Sequence, residues 1–513
     1  MIILPVLVPF LTLVLLALLN GFPRLERAVN LASCVGLSAF VFWLLGEVDR
    51  EGIQAMVVGG WFAPWGIAFV ADRLACIMLC LSMSVGTLVL VYACFTAEPR
   101  QERYFFHPLF QVLLLGVNWS FITGDLFNLF VAYEVMLIGS YGMMMIGASK
   151  QQVRQTFKYI AINSIGSTLF VAACGLVYAT LGTLNMADIA VRSAQLEGDR
   201  AALVTAVSML LMVVFALKAA AFPIFFWLPD SYPIVPAGLN GYFAGLLTKV
   251  GVYSLLRLFV LCFRQPGAEL VLDVLLVMSG FTMLFGVLGA LCQWEVRKIL
   301  SWHIISQVGY MVMGIGLAAA GADVALAAVS ATIFYVVHHI VVKSSLFLIG
   351  GIADRISGTQ QLKEMGGVID LAPGVAALFL VAAFSLAGMP PFSGFFAKLV
   401  LIRAGLADGQ FAIVLVSLIT SLLTLYSMSK IWSYGFWRSS SHAAPLGRYR
   451  GMMVPTAVLV AFTVAMGVAV EPFIRLANDA ARDVVDPRAY QEAVLVPVPA
   501  PAASLDAGEA GAR

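Results

Sequence analysis

The sequence predicts an all-α integral membrane protein of about fourteen transmembrane helices, judged from its composition, the length of its apolar runs and two proline-interrupted segments. Of the 513 residues, 61% are hydrophobic and only 11% are charged. An average soluble domain carries roughly 25% charged residues. A chain this apolar has too little polar surface to face water, so its solvent must be the lipid bilayer.

The apolar runs are long enough to cross a membrane one after another, because a transmembrane helix needs about 20 apolar residues. The first run lacks the basic start and the cleavage site of a signal peptide. The predicted helices are 2–20, 28–47, 74–95, 105–122, 125–146, 156–181, 202–222, 236–262, 269–291, 299–318, 325–349, 372–405, 411–433 and 452–471. They form one membrane domain, residues 1–471, and the remaining tail, residues 472–513, is predicted to be largely disordered.

Two of the predicted helices carry glycine and proline interruptions. One segment reads FALKAAAFPIFFWLPDSYP and contains Lys218, and the other reads FSLAGMPPFSGFFAKLVLI and contains Lys398. Proline removes a backbone donor, and freed backbone at membrane depth is tolerated only inside protein or beside water. Paired interruptions indicate two inverted repeats and mark the transport path. Two ordinary proline kinks would give the same pattern.

Lysine and arginine residues in the loops predict the orientation of the chain. The loops after helices 1, 3, 5, 9, 11 and 13 hold Arg24, Arg27, Arg100, Arg103, Lys150, Arg154, Lys158, Arg297, Lys298, Arg355, Lys363, Arg438, Arg448 and Arg450. The opposite side, without the tail, holds Arg50, Arg73, Arg192, Arg200, Arg264 and Arg403. The richer side is predicted to be cytoplasmic, which places both termini outside.

The composition also excludes several function classes. A formal net charge of +2 gives no basis for nucleic-acid binding. The seven cysteines contain no CxxC pair, which argues against a disulfide framework or a metal cluster. No haem, flavin or iron–sulfur motif occurs in the sequence, so no cofactor is predicted.

Ionisable residues inside the predicted helices cost roughly 2.5–3.5 kcal/mol each, so each needs a partner, water or a function. Glu134 lies about 14 Å along its helix from Asp125, near mid-membrane. Lys218 is its predicted partner, because a lysine can lose its proton when desolvated. The alternatives are a purely structural ion pair and a Lys218 that reaches the membrane interface.

The remaining deep charges lie in the second half of the chain. Lys249 is about 13 residues into its helix, too deep to reach the interface easily. Lys398, in the second interrupted segment, is predicted to be the counterpart of Lys218 in the first. His338, His339 and Lys343 lie together in FYVVHHIVVKSSLF. Histidine relays protons near neutral pH, although a packing role is equally compatible. No metal site is predicted, because adjacent histidines face different sides of a helix.

Other polar residues lie near predicted helix ends. Asp125 and Asp230 are secondary candidates that would gate the route or cap a helix. His303 is predicted to be interfacial, and Asp72 is predicted to pair with Arg73 at the interface. The mid-membrane residues, by contrast, form a row across the membrane plane that would pass protons laterally through water. Two half-channels, one to each side, would complete a route.

Four long segments of the chain are distinctive, and they read GDLFNLFVAYEVMLIGSY, LKAAAFPIFFWLPDSYP, WEVRKILSWHIISQVGYM and HHIVVKSSLFLIGG. They resemble the antiporter-like membrane subunits of respiratory complex I and, more closely, the D subunits of the multisubunit Mrp (Mnh or Pha) cation/proton antiporters. The resemblance covers residues 1 to about 470. It is closer to the D subunits because Lys398 stands where the M-type complex I subunit carries glutamate.

The resemblance implies a proton route. In this family the glutamate of the fifth helix pairs with the lysine of the broken seventh helix, which are Glu134 and Lys218 here. The route then continues through Lys249, through His338 or His339 with His338 favoured, and through Lys398.

We therefore expect a proton-translocating subunit of a Na⁺ or K⁺/proton antiporter, a secondary transporter rather than an enzyme. Its expected partners are protons, monovalent cations, the lipid bilayer and other antiporter subunits in a bacterial inner membrane. The alternative is a proton-pumping subunit of NADH:quinone oxidoreductase or a related membrane-bound hydrogenase, which would copurify with redox subunits. A third possibility is a scaffold subunit, for which neutralising the lysines would lower stability only.

Overall fold

The computed structural model describes residues 1–439 and 449–495, and the membrane-scale helices follow one another along the chain. They are α1 Leu4–Leu18, α2 Pro23–Glu51, α3 Arg73–Thr96, α4 Phe106–Ile122, α5 Leu126–Met145, α6 Lys150–Leu181, α7 Gly198–Ala219, α8 Ala237–Cys262, α9 Glu269–Cys292, α10 Val296–Gly316, α11 Ala322–Ser357, α12 Pro373–Ala387 with Ser393–Ala407, α13 Phe411–Trp437 and α14 Arg450–Val468.

Length and composition support a membrane-spanning role for these helices. Among the described residues, 11 helices are long and apolar enough to cross a bilayer. Three shorter apolar helices, α1, α4 and the first half of α12, complete the set. The predicted all-α membrane fold is therefore confirmed, and the protein is a multi-pass membrane protein.

Short strands and helices lie in the segments between the membrane-scale helices. Strands β1 (Gln54–Val57) and β2 (Ala68–Ala71) pair antiparallel after α2. Short helices span Pro99–Arg103, Met186–Ala194, Leu228–Ser231 and Val368–Leu371.

The most buried helices form the centre of the bundle. In α8 and α10, 94% of the most apolar window is buried, compared with 28% in α2 and 39% in α13. Central helices are apolar on all sides because they contact other helices rather than lipid. The charged residues of α8, Lys249 and Arg257, are therefore enclosed by protein.

Both predicted interruptions are present, and their freed backbone groups are satisfied inside the protein. α7 ends at Ala219, and Ala220 takes a left-handed conformation with φ 58°. The Phe222 N–H donates to Thr282 Oγ1 at 2.9 Å, and Trp227 Nε1 donates to the Leu217 carbonyl at 3.1 Å. In α12 the break begins at Gly388, with φ 89°. The inverted-repeat relation between the two halves stays a prediction.

The prediction of a largely disordered tail is wrong for residues 472–495. α15 spans Val470–Val485 and α16 spans Arg488–Leu495. α15 buries a small-residue face and packs on α3 and α11, and its Asp483 pairs with Arg73 at 3.0 Å. The Ala/Pro-rich composition that predicted disorder applies to residues 496–513, which lie outside the described residues.

Candidate functional site: a row of charged groups inside the bundle

The first cluster of the row joins Lys218 to Glu134 through a hydroxyl. Lys218 lies in the last turn of α7, is 4% exposed, and donates from Nζ to Ser167 Oγ at 3.2 Å. Ser167 Oγ in turn donates to Glu134 Oε1. In the described part of the chain the lysine and the glutamate make no direct ion pair, so the predicted pairing runs through Ser167.

Further contacts hold the Lys218 ammonium in place. Its Nζ donates to the Asn163 carbonyl at 3.2 Å, and it lies 5.9 Å from the centre of the Tyr133 ring. A cation at a helix C-terminus is also stabilised by the helix dipole. These interactions favour the charged lysine, whereas burial opposes it. Both protonation states therefore have physical support at this position.

The second member of the row is Lys249, at the centre of α8. It is fully buried, and its Nζ donates to the Ala244 carbonyl at 2.7 Å. Residues Phe243–Leu247 form a π-helical turn, which changes the regular pattern of backbone hydrogen bonds. A Cβ on Gly251 would lie 2.6 Å from the Ala219 nitrogen, so the end of α7 contacts α8 two residues beyond Lys249.

The two histidines of α11 face different neighbours. His339 is fully buried and lies within electrostatic reach of Lys249, Lys343 and His303. His338 instead faces α12, where its Nδ1 lies 2.8 Å from Ser393 Oγ. One residue pair of α11 therefore connects the central lysines on one side with α12 on the other.

The last member of the row is Lys398 in the second half of α12. Its Nζ donates to the carbonyls of Ala387 and Leu386, at 2.9 and 3.2 Å, which are the free carbonyls at the end of the first half. The ammonium also lies 5.1 Å from the centre of the Tyr310 ring. A Cβ on Gly394 would come within 3.0 Å of His338 Nε2, so glycine is needed where the two halves of α12 meet α11.

Aromatic and amide groups of α10 and α11 link the row further. Tyr310 stacks on Tyr335 at a centroid distance of 5.3 Å, and the Tyr335 hydroxyl donates to Gln307 Oε1 at 2.5 Å. Gln307 Nε2 donates to Ser306 Oγ at 3.1 Å, and this hydroxyl lies 3.5 Å from His303 Nδ1. Buried polar groups therefore extend from Lys398 towards the middle of the bundle.

The secondary candidates Asp125 and Asp230 lie at the edges of the bundle. Asp125 precedes α5, accepts from the Asn128 N–H at 2.8 Å and so caps the helix. Burial raises the pKa of Asp125 to about 6. Asp230 is exposed and pairs with Lys158 at 3.4 Å. Neither carboxylate is part of the row.

Two predictions about helix ends are wrong. His303 is fully buried rather than interfacial, because α10 begins at Val296 and His303 lies two turns inside it. Asp72 does not pair with its neighbour Arg73. It is fully buried and accepts two hydrogen bonds from Arg257, at 2.5 and 2.8 Å. The Arg257 guanidinium in turn lies 5.3 Å from the centre of the Tyr490 ring of α16.

Several site residues were not predicted from the sequence. Asn163 and Ser167 are neutral, but their i,i+4 spacing in the apolar α6 places both on one helix face. Arg257 is a charged residue inside the apolar run SLLRLFVLCF, so the sequence alone could have identified it as a buried charge that needs a partner. Ser393 follows the Pro390–Pro391 pair by two residues, and its contact with His338 depends on how α12 docks on α11.

Comparison with known proteins agrees with this architecture. Residues 123–424 match the family model described as NADH:quinone oxidoreductase/Mrp antiporter, transmembrane. The D subunit of the Na⁺/H⁺ antiporter of Alkalihalophilus pseudofirmus is 42% identical over 498 residues, covering 96% of this chain and 99% of the relative. The Bacillus subtilis protein of the same name is 36% identical, covering 96% of this chain and 99% of that relative.

Two solved structures share the fold. A chain of the Mrp complex from Dietzia sp. DQ12-45-1b superposes with a TM-score of 0.87 and 32% identity, covering 96% of this chain and 99% of that chain. A chain of an archaeal membrane-bound sulfane sulfur reductase superposes with a TM-score of 0.86 over 96% of this chain and 99% of that chain. At 24% identity the second likeness shows the fold alone.

Proposed function

Because the chain belongs to the NADH:quinone oxidoreductase/Mrp antiporter transmembrane family, we propose that it is the proton-translocating D-type component of a multisubunit Na⁺ or K⁺/proton antiporter. Relatives that match along 96% of the chain are named as Na⁺/H⁺ antiporter subunits. These names favour antiport over the redox-driven alternative. The protein works as a transporter component rather than as an enzyme.

The proposed proton route runs through Glu134, Lys218, Lys249, His338 and Lys398, with His339 and Lys343 between the two halves. The hydroxyl that joins Lys218 to Glu134 is the observation that carries this proposal. It accepts from the ammonium and donates to the carboxylate. A hydroxyl with both contacts can pass a proton by exchanging its own.

The route crosses the bundle in the membrane plane, so each end needs a connection. Glu134 is only half-buried on α5, and its neighbour Ile138 is exposed. This side of α5 is where we expect another member of the antiporter complex to dock, bringing a charge near Glu134. The loop charges support an orientation with both termini outside a bacterial inner membrane.

Proton uptake driven by Na⁺ or K⁺ in everted membrane vesicles tests the proposal. We expect Glu134→Ala and Lys218→Ala to abolish antiport while the complex still copurifies. Lys158→Ala is the matched control, because this lysine also lies on a spanning helix but pairs with exposed Asp230 at the surface. Normal antiport in either test variant would reject the route, and loss of copurification alone would favour a scaffold role.

A further inference from the structure

An ion pair on the predicted cytoplasmic side borders two polar pockets. Arg297, at the start of α10, donates from Nη2 to Asp354 Oδ2 at 2.9 Å, near the end of α11. Their side chains are 10% and 24% exposed. Arg297 lines both a pocket of about 320 Å³ beside Gly351 and one of about 200 Å³ beside Pro233.

Lys343 binds the same helix as Arg297, further from its start. It is fully buried, and its Nζ donates to the Leu300 carbonyl at 3.1 Å. Leu300 follows Arg297 by three residues, which is about 4.5 Å along an α-helix. The ammonium therefore bonds α10 one helical turn further into the bundle than Arg297, although the Cα of Lys343 lies deep in α11.

Polar atoms without a protein partner continue inward from this point. In the described part of the chain, both amide atoms of Asn240, the Thr248 hydroxyl and both ring nitrogens of His339 are buried and accept or donate no hydrogen bond. Buried polar groups in proteins are satisfied by protein or by ordered water. Water therefore belongs along the first half of α8.

The side chain of Lys249 also extends towards the start of α8. The Nζ of Lys249 reaches back to the carbonyl of Ala244, five residues earlier and nearer the start of α8. Asn240 lies one further turn towards that start. The ammonium of Lys249 and that of Lys343 are thus both drawn towards the predicted cytoplasmic side, from two different helices.

We propose that the Arg297–Asp354 ion pair is the gate of a cytoplasmic water path that brings protons to Lys343 and from there to His339 and Lys249. This inference rests on the proposed function, because it assigns the entrance of the same route. While the pair is formed, one turn of α10 separates Arg297 from the carbonyl that Lys343 binds. When it parts, the Arg297 guanidinium has room in either pocket, and water reaches the lysine.

Thiol labelling tests access without measuring antiport. The reporter is Asn240→Cys in the whole complex, with Cys94 and Cys292 replaced by serine because they are the native cysteines that are not buried among the described residues. Vesicles of both orientations are treated with a membrane-impermeant thiosulfonate reagent. We expect labelling from the predicted cytoplasmic face only, and Arg297→Gln to accelerate it about tenfold.

Arg355→Gln is the matched control, because Arg355 lines the larger pocket but donates to the Phe95 carbonyl instead of to Asp354. It should leave the labelling rate unchanged. Asp354→Asn is the second gate variant, should Arg297→Gln fail to assemble. Unchanged labelling in the gate variants, or labelling from the opposite face, would overturn the gate. Either outcome leaves antiport through Glu134 and Lys218 to its own test.

Discussion

The two ends of the charged row hold a lysine in similar ways but give it different partners. Lys218 and Lys398 are each 4% exposed and each lies beside the break of an interrupted helix. Each ammonium donates to backbone carbonyls, that of Asn163 for Lys218 and those of Leu386 and Ala387 for Lys398. Lys218 is joined through a serine to a carboxylate. Within residues 1–439 and 449–495, the contacts of the Lys398 ammonium are with neutral groups, namely backbone carbonyls and the Tyr310 ring.

This difference in partners determines what can change the protonation state of each lysine. The Lys218 ammonium is stabilised by the charge on Glu134, which lies on a half-exposed side of α5. The state of Lys218 therefore depends on what approaches Glu134 from outside the chain. Lys398 has no such partner among the described residues, so its state depends on the row itself, through His338 and Ser393.

The largest expected difference concerns stability rather than transport. Both Lys218→Ala and Lys398→Ala should lower antiport at least about a hundredfold, because each removes a proton carrier. Lys218→Ala also leaves Glu134 without its cation, which costs several kcal/mol for a buried partner and roughly 1 kcal/mol for an exposed one. Thermal unfolding of the purified complex should therefore begin at a lower temperature for Lys218→Ala. Equal stability of the two variants would mean that Glu134 does not depend on Lys218.

A smaller difference is expected for the two bridging serines. Ser167→Ala should reduce antiport about tenfold, because the hydroxyl between lysine and glutamate is lost. Ser393→Ala should reduce it only about threefold, since Ser385 Oγ lies 3.3 Å from Ser393 Oγ and can replace it near His338. Initial rates of cation-driven proton uptake measure both effects.

Ser167→Thr is the control for the first serine, because it keeps the hydroxyl. Full activity of Ser167→Ala would show that Lys218 and Glu134 exchange protons by another path. A Ser393→Ala variant that is less active than Ser167→Ala would reverse the comparison.

The smallest expected effect is a pH dependence at Asp125, outside the row. Burial raises its pKa from 3.8 to about 6, so the folded state favours the neutral acid more strongly than the unfolded chain does. The contribution of this pKa shift to the free energy of unfolding is fully present below pH 3.8. It is lost as the pH rises through about 6, by up to about 3 kcal/mol. Asp125→Asn keeps the helix cap but should remove this loss. Thermal stability between about pH 4 and pH 8 should fall less in the variant, and identical profiles would contradict this assignment.

The sequence was sufficient to predict the membrane helices and the charged members of the row. Apolar runs of about 20 residues have one stable solution in a bilayer, so all fourteen predicted helices have counterparts. Glu134, Lys218, Lys249 and Lys398 were visible because a charge in an apolar run is rare. The three lysines are buried and Glu134 is half-buried, and the role of all four in proton transfer stays a prediction.

The connections between these charges were not predictable, because they depend on how helices pack. Nothing in the one-dimensional pattern distinguishes Ser167 from other serines facing the bundle. The predicted partner of Asp72 was wrong because Arg257 is separated from it by 185 residues. The prediction for the tail was wrong because α15 has a polar face and therefore contains no apolar run of membrane length, although residues such as Ala477, Ala481 and Val484 form a buried face at helical spacing.

The central claim is that Lys218 exchanges its proton rather than only balancing the charge of Glu134. The variant Lys218→Arg tests this most directly, because arginine keeps the positive charge and can donate to Ser167 but does not lose its proton in proteins. Cation-driven proton transport by the whole complex in proteoliposomes is the measurement. The account predicts an assembled complex without antiport, and antiport at the wild-type rate would contradict it.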